Sequence, residues 1–176
     1  MKATGIVRRM DELGRIVIPK EMRKSLRIKE GDNLEIYITE EENIVLKKYS
    51  QIKKLSDFAQ NLTDSIHSSI KKNVIITDNE TIIAASGSLK KELLNKSISD
   101  ELETKIKRRE EILEKYNKKL KITEEDKPID VTYAISPIII NGDCGGLVLI
   151  IDDNVIDIDF IITEVVAEFI KKNLEV

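Results

Sequence analysis

At 176 residues, with 41% hydrophobic and 35% charged side chains, the chain is long enough for one medium domain or two small ones and too aliphatic to be disordered. Its longest charge-free stretches, residues 131–142 and 144–151, fall short of the roughly 18 apolar residues that cross a bilayer; with charges at Lys2, Arg8, Arg9, Asp11, Glu12 and Arg15 also excluding a secretory leader, a cytoplasmic protein is expected. A single cysteine, Cys144, and a single histidine, His67, exclude an intrachain disulfide and a structural zinc site, and 4% aromatics without tryptophan argue against stacking on unpaired bases.

Residues 3–8 carry the β-branched Ile6 and Val7, Asp11-Glu12-Leu13-Gly14 is turn-like, and Arg15-Ile16-Val17-Ile18 resumes an extended run, which together predict two strands and a tight turn. Pro19 stops the second strand and opens a short helix through Leu26. After a turn at Glu30-Gly31-Asp32, Leu34, Ile36 and Ile38 alternate with polar neighbours, and Ile44 and Leu46 do the same beyond Glu40-Glu41-Glu42-Asn43. The order is ββαββ with about a dozen core aliphatics, too few for a domain without disulfide or metal, so an obligate homodimer is expected.

Leu55, Phe58, Leu62, Ile66 and Ile70 then recur at spacings of three and four, an amphipathic helix over 52–70. His67 lies beside its seam with no ligand-type neighbour at suitable spacing and reads as a surface or packing residue. Residues 73–77 and 81–85 around Asp78-Asn79-Glu80 predict a hairpin. Residues 89–120, rich in Lys, Glu and Leu, with Leu94, Ile98, Leu102 and Ile106 at helical spacing and Ser97 or Ser99 as a cap, predict one or two helices. An acidic loop spans 122–130. Two strong strands, 131–140 and 145–151, flank Asn141-Gly142-Asp143, and a last helix from Phe160 to Leu174 is apolar over so wide a face that burial on two sides is expected. This second part is an antiparallel sheet with flanking helices, making the whole chain α+β, with domains at 1–51 and 52–176.

The net charge of −3 conceals an asymmetry. Residues 1–29 hold nine basic side chains against three acids, a local balance of +6 on an otherwise acidic protein. Such a cluster points to a polyanionic partner, and the acidic remainder restricts that partner to one face.

The run Thr4-Gly5-Ile6-Val7-Arg8-Arg9-Met10-Asp11-Glu12-Leu13-Gly14-Arg15-Ile16-Val17-Ile18-Pro19-Lys20-Glu21-Met22-Arg23-Lys24-Ser25-Leu26 resembles the swapped-hairpin DNA-binding domain of the AbrB family of bacterial transition-state regulators. The resemblance continues through Gly31-Asp32-Asn33-Leu34-Glu35-Ile36-Tyr37 and Ile44-Val45-Leu46-Lys47-Lys48-Tyr49. The order of the remainder, with Leu94-Asn95-Lys96-Ser97-Ile98-Ser99-Asp100, is similar to the GAF-type sensor domain joined to this module in sporulation regulators of Gram-positive bacteria. The resemblance implies a swapped-hairpin β-barrel homodimer gripping double-stranded DNA, a transcriptional activator and repressor of sporulation genes acting in the forespore cytoplasm. Carried over by position, the DNA-contacting side chains are Arg8, Arg15, Arg23 and Lys24, with Arg9 as a neighbour. Lys24 stands where many relatives carry arginine; lysine lacks the planar fork for reading a base, so a phosphate contact is expected there. Arg27 and Lys29 read as solvated charges.

The surplus apolar faces of the helices at 52–70 and 160–174 predict a homotetramer. A small-molecule ligand for the GAF-like domain is possible by resemblance and unidentifiable from generic apolar side chains. An antitoxin is the alternative function, since the swapped-hairpin fold also occurs there, but the strong periodicity of residues 54–176 is unlike a flexible toxin-wrapping tail. No enzyme is expected: Asp143-Cys144-Gly145-Gly146 is the only reactive-looking string, it sits in a hairpin turn, and Cys144 reads as inert. Catalytic residues, metal and cofactor are all expected to be absent.

Overall fold

The computed structural model describes residues 5–175 and forms two compact units that divide between Tyr49 and Ser50. In the first, α1 (Lys20–Ser25) precedes an antiparallel hairpin of β1 (Leu34–Ile38) and β2 (Ile44–Lys48). Ile36 pairs with Leu46 and Ile38 with Ile44, so four aliphatic side chains share one face of a two-stranded ribbon. Among the described residues of this unit nothing covers that face: Ile36, Ile38, Ile44 and Leu46 are 67%, 79%, 67% and 44% exposed. Among the described residues up to Tyr49, Pro19 alone is buried.

The first two expected strands are a correction. Residues 5–10 and 15–18 carry no strand ladder, and residues 3 and 4 lie outside the described residues. The turn between them closes through the Asp11 N–H to the Arg15 carbonyl at 3.0 Å. A short hairpin needs a further packed layer to hold, and here Val7 and Val17 remain exposed.

The second unit begins with a turn of 3₁₀ helix (Ile52–Leu55) and α2 (Ser56–Ile70), followed by β3 (Asn73–Thr77), β4 (Ile82–Ser86), α3 (Lys90–Leu93), α4 (Asp100–Arg108), β5 (Ile112–Leu120), β6 (Ile129–Ile140), β7 (Asp143–Asp152) and α5 (Asp157–Leu174). The five strands form one antiparallel sheet in the order β4-β3-β7-β6-β5, bearing out the α+β class. Period-two alternation gives the sheet two apolar faces. Leu147, Leu149 and Ile151 join Tyr133, Ile135 and Ile75 against Leu93, Leu102 and Ile106 of α3 and α4. Val148 and Ile150 point the other way, into clusters with Ala59 of α2 and Val166, Ala167 and Ile170 of α5.

Polar groups fix the layers. Gln60 on α2 donates to the Ala85 carbonyl at 2.9 Å and accepts from the Ala85 N–H at 3.3 Å, locking the helix to β4. Lys72 meets Asp159 at 2.5 Å, and the Asp159 carboxylate also accepts the Ile156 N–H at 2.8 Å where α5 starts. The Ser136 and Thr163 hydroxyls meet at 2.7 Å between sheet and α5. β3 and β7 approach so closely that a Cβ on Gly146 would lie 1.9 Å from the Thr77 carbonyl oxygen. The turn joining β6 to β7 is Asn141-Gly142, two of the three residues expected there, with Asp143 already in β7; both are at positive φ (50° and 87°), as a two-residue hairpin loop requires.

Two further expectations are corrected. Of residues 89–120, only α3 and α4 are helical. Ser99, not Ser97, caps α4 by accepting the Leu102 N–H at 3.2 Å, and Arg109 ends it in the left-handed region at φ 53°. Residues 112–120 are β5, an edge strand whose exposed Lys115, Lys118 and Lys119 read as helix in the sequence because lysine also favours exposed helices. The last helix begins at Asp157 rather than Phe160, and within a single chain one side of it is buried. Ile158, Ile161, Val165 and Phe169 are 53%, 50%, 63% and 47% exposed, an apolar stripe at helical spacing.

Candidate nucleic-acid interface

Arg8 and Arg9 lie exposed on the extended run before the Asp11–Gly14 turn, and Arg15 lies directly after it. The turn is set by Asp11, whose Oδ1 accepts the N–H of Leu13 at 3.0 Å and of Arg15 at 2.8 Å. Gly14 donates to the Asp11 carbonyl at 3.0 Å and sits at φ 74°, a conformation that favours glycine. The other carboxylate oxygen of Asp11 accepts from Arg15 Nε at 2.7 Å, with the side chains of Arg15 and Asp11 72% and 42% exposed. The Arg15 backbone N–H, and next its guanidinium, hold the Asp11 carboxyl below the usual carboxylate range.

Arg23 and Lys24 occupy the last turn of α1, both exposed. The N–H of Ile28 returns to the Arg23 carbonyl at 2.7 Å and that of Arg27 to the Lys24 carbonyl at 3.2 Å, with Arg27 at φ 51°; this is a Schellman closure with arginine where glycine is usual. Lys48 donates to the Arg27 carbonyl at 2.9 Å and pairs with Asp32 at 2.9 Å, which ties the helix end to β2. Cations at a helix C-terminus also sit favourably in its dipole. The turn brings Arg15 and Asp11 into contact, whereas Arg8, Arg9, Arg23 and Lys24 make no ion pair among the described residues. The sequence reading used Asp11 as a turn former and missed its grip on Arg15; the Asp-x-x-x-Arg spacing across a four-residue turn was the available signal.

The second unit offers different chemistry. A surface groove of about 290 Å³ is lined by Glu111, Glu164, Glu168 and Lys171 with Ser136, Pro137, Ile139 and Ala167, an acidic rim unsuited to nucleic acid. Cys144 is half-buried, its thiol donates to the Gly146 carbonyl at 3.4 Å, and burial pushes its pKa up, away from thiolate reactivity. His67 Nδ1 meets the Lys72 carbonyl at 2.7 Å beyond the end of α2, a packing role. Among the described residues, no group of three or more His, Cys, Asp or Glu is placed to hold a metal ion, and no helix is long and apolar enough to cross a membrane.

Residues 54–175 match the family model described as "Stage V sporulation protein T C-terminal, transcription factor", and residues 7–54 match "Antidote-toxin recognition MazE, bacterial antitoxin". The chain is 43% identical to stage V sporulation protein T of Bacillus subtilis over 99% of both chains. Over 49 residues it is 63% identical to the transition state regulatory protein AbrB of Bacillus subtilis, which covers 28% of this chain and 50% of that protein. Among solved structures, the cofactor-binding GAF domain of the nutrient sensor CodY from Clostridium difficile aligns with a TM-score of 0.46 at 13% identity, covering 70% of this chain and 92% of that one. Identity that runs through the basic turn, both units and the connection between them makes the chain a member of the stage V sporulation protein T family of transcription factors.

Proposed function

We propose that the chain regulates sporulation genes, as activator and repressor, by gripping duplex DNA through Arg8, Arg9, Arg15, Arg23 and Lys24 on paired N-terminal units. Residues 1–51 serve DNA and residues 52–176 serve oligomerisation and sensing. The observation that carries this reading is the set of exposed basic side chains, of which only Arg15 has a carboxylate partner among the described residues. Unpaired cations beside a polyanion displace counterions, and with no long recognition helix the contacts favour phosphates and DNA shape over a fixed base code. The uncovered aliphatic face of β1 and β2 supports a homodimer, and the exposed stripe on α5 supports a homotetramer. The chain works in the cytoplasm, in the forespore, without catalysis; any small-molecule ligand of the second unit acts by favouring one spacing of the DNA-binding units.

The test is a fluorescence-anisotropy titration of the full chain against duplex DNA over a range of salt concentrations. Each phosphate neutralised contributes about −0.9 to the slope of log K against log salt. Arg23→Ala removes one cation from each chain of the dimer and flattens that slope by about 2. An unchanged slope overturns the assignment. Sedimentation as a clean dimer at micromolar concentration contradicts the tetramer. The antitoxin reading draws on the 7–54 match and is disfavoured because the residues beyond Lys54 build a sheet with its own two-faced core; co-purification with a small toxin would restore it.

A further inference from the structure

We propose that Asp11 is a positioning residue for DNA binding, holding the Arg15 guanidinium by one edge so that its terminal nitrogens are presented outward. The inference rests on the reading of Arg15 as a DNA contact. By charge alone, a carboxylate 42% exposed inside the basic segment opposes a polyanion. Its geometry gives it a compensating task. Both oxygens are committed inward, Oδ1 to two backbone N–H groups of the turn and Oδ2 to Arg15 Nε at 2.7 Å. The hydrogen bond to Asp11 runs through Nε. A guanidinium held through Nε leaves its end-on edge, formed by the two terminal nitrogens, as the fork that spans two phosphate oxygens or the O6 and N7 of guanine. Because the same carboxylate fixes the turn and the side chain, Arg15 reaches DNA with part of its rotamer freedom already removed, a saving worth up to about thirty-fold in affinity for a free arginine. The Arg15 backbone N–H, and next its guanidinium, also hold the Asp11 carboxyl below the usual carboxylate range.

Two accounts of Asp11 differ in sign. If the carboxylate only repels DNA or quenches Arg15, neutralising it tightens binding; if it positions Arg15, neutralising it weakens binding. The experiment uses the full chain and an AT-rich duplex of about 30 base pairs, some three helical turns, comparing the parent with Asp11→Asn, Arg15→Ala and the double variant. The Asn side-chain oxygen still accepts the N–H groups of Leu13 and Arg15, so the turn persists while the charge-assisted hold on Nε is lost. Positioning predicts that Asp11→Asn keeps the parent's melting temperature and binds about three- to thirty-fold more weakly, with a change of less than about twofold, or a tightening, when the same substitution is made on Arg15→Ala. Parent-like or tighter binding by Asp11→Asn while Arg15→Ala binds weakly overturns the proposal and leaves the DNA contact standing. Equal weakening by Asp11→Asn with and without Arg15 also overturns it, since the effect then bypasses the guanidinium. Parent-like binding by Arg15→Ala removes Arg15 from the interface and both readings fall. Should Asp11→Asn lower the melting temperature, Asp11→Ser, whose hydroxyl still accepts from the turn, decides by the same comparisons.

Discussion

Ile36→Ala separates a unit that stands alone from one completed by a second chain. Ile36 is 67% exposed and lies opposite Leu46, itself 44% exposed, on the open face of the β1–β2 ribbon. If that face stays in water, truncation to alanine changes stability by no more than about 0.5 kcal/mol, as at ordinary surface positions. If a partner covers it, the loss is that of a buried isoleucine, about 2 kcal/mol at the low end of the range for Ile→Ala. Symmetry doubles the loss to about 4 kcal/mol per dimer, equivalent to roughly a thousandfold in the dimer dissociation constant. Scanning calorimetry of the full chain at two protein concentrations reads this directly. The expected result is an N-terminal transition that rises with protein concentration in the parent and falls by more than about 10 °C in Ile36→Ala. A variant melting within a degree or two of the parent, with no concentration dependence in either, refutes the reasoning.

Lys72→Met leaves Asp159, whose side chain is 2% exposed, without its cation, and should cost about 3–5 kcal/mol by denaturant unfolding of the second unit. Arg109→Gly removes the left-handed strain at the end of α4 and should stabilise by about 1 kcal/mol, read as a small rise in melting temperature. Asp126 accepts from the Thr123 hydroxyl at 2.6 Å and pairs with Lys96 at 3.0 Å; the Thr123 hydrogen bond first, and then the Lys96 bond, lower its pKa from the usual 3.8. A depressed folded-state pKa contributes stability that is present above the unfolded value and lost as pH falls through the folded one. Acid titration below about pH 4 should therefore release this contribution in the parent and leave Asp126→Asn without it, as followed by the pH dependence of unfolding.

Most of the second unit was legible because its strands are buried on both faces and read as continuous β-branched runs between turn residues, as in residues 131–140 and 145–151. Residues 112–120 were not, because an edge strand is solvated on its outer side and Lys and Glu there carry the composition of an exposed helix. The wide apolar face of α5 was visible, but the sequence could not say that one half packs on the sheet while Ile158, Ile161, Val165 and Phe169 face water, since periodicity records hydrophobicity and not its partner. At the candidate interface, charge density and the family resemblance marked the arginines. The hold of Asp11 on Arg15 needed coordinates, because a carboxylate in a turn is explained by its backbone hydrogen bonds alone.

The basic cluster and the exposed apolar face belong to the same stretch of chain, so the proposed DNA contact and the proposed dimer would be coupled. The Asp11 turn is closed by local hydrogen bonds and persists in a lone chain, but Arg8 and Arg9 sit on a run with no strand ladder and the ribbon of β1 and β2 has no cover. In the proposed homodimer, a second chain that completes the sheet would fix those arginines and double their number in one step. If DNA binds that completed form, duplex DNA would stabilise the dimer by the same free energy with which dimerisation strengthens DNA binding. The connection to the second unit is short: Tyr49 donates to the Asn33 carbonyl at 2.9 Å, and Ile52, three residues on, is 1% exposed in the core of the next unit. With only Ser50 and Gln51 between these anchors, the proposed association of the second units would raise the effective concentration of the first. On that reading the N-terminal module would gain affinity for DNA from a domain whose own acidic charge has none to offer.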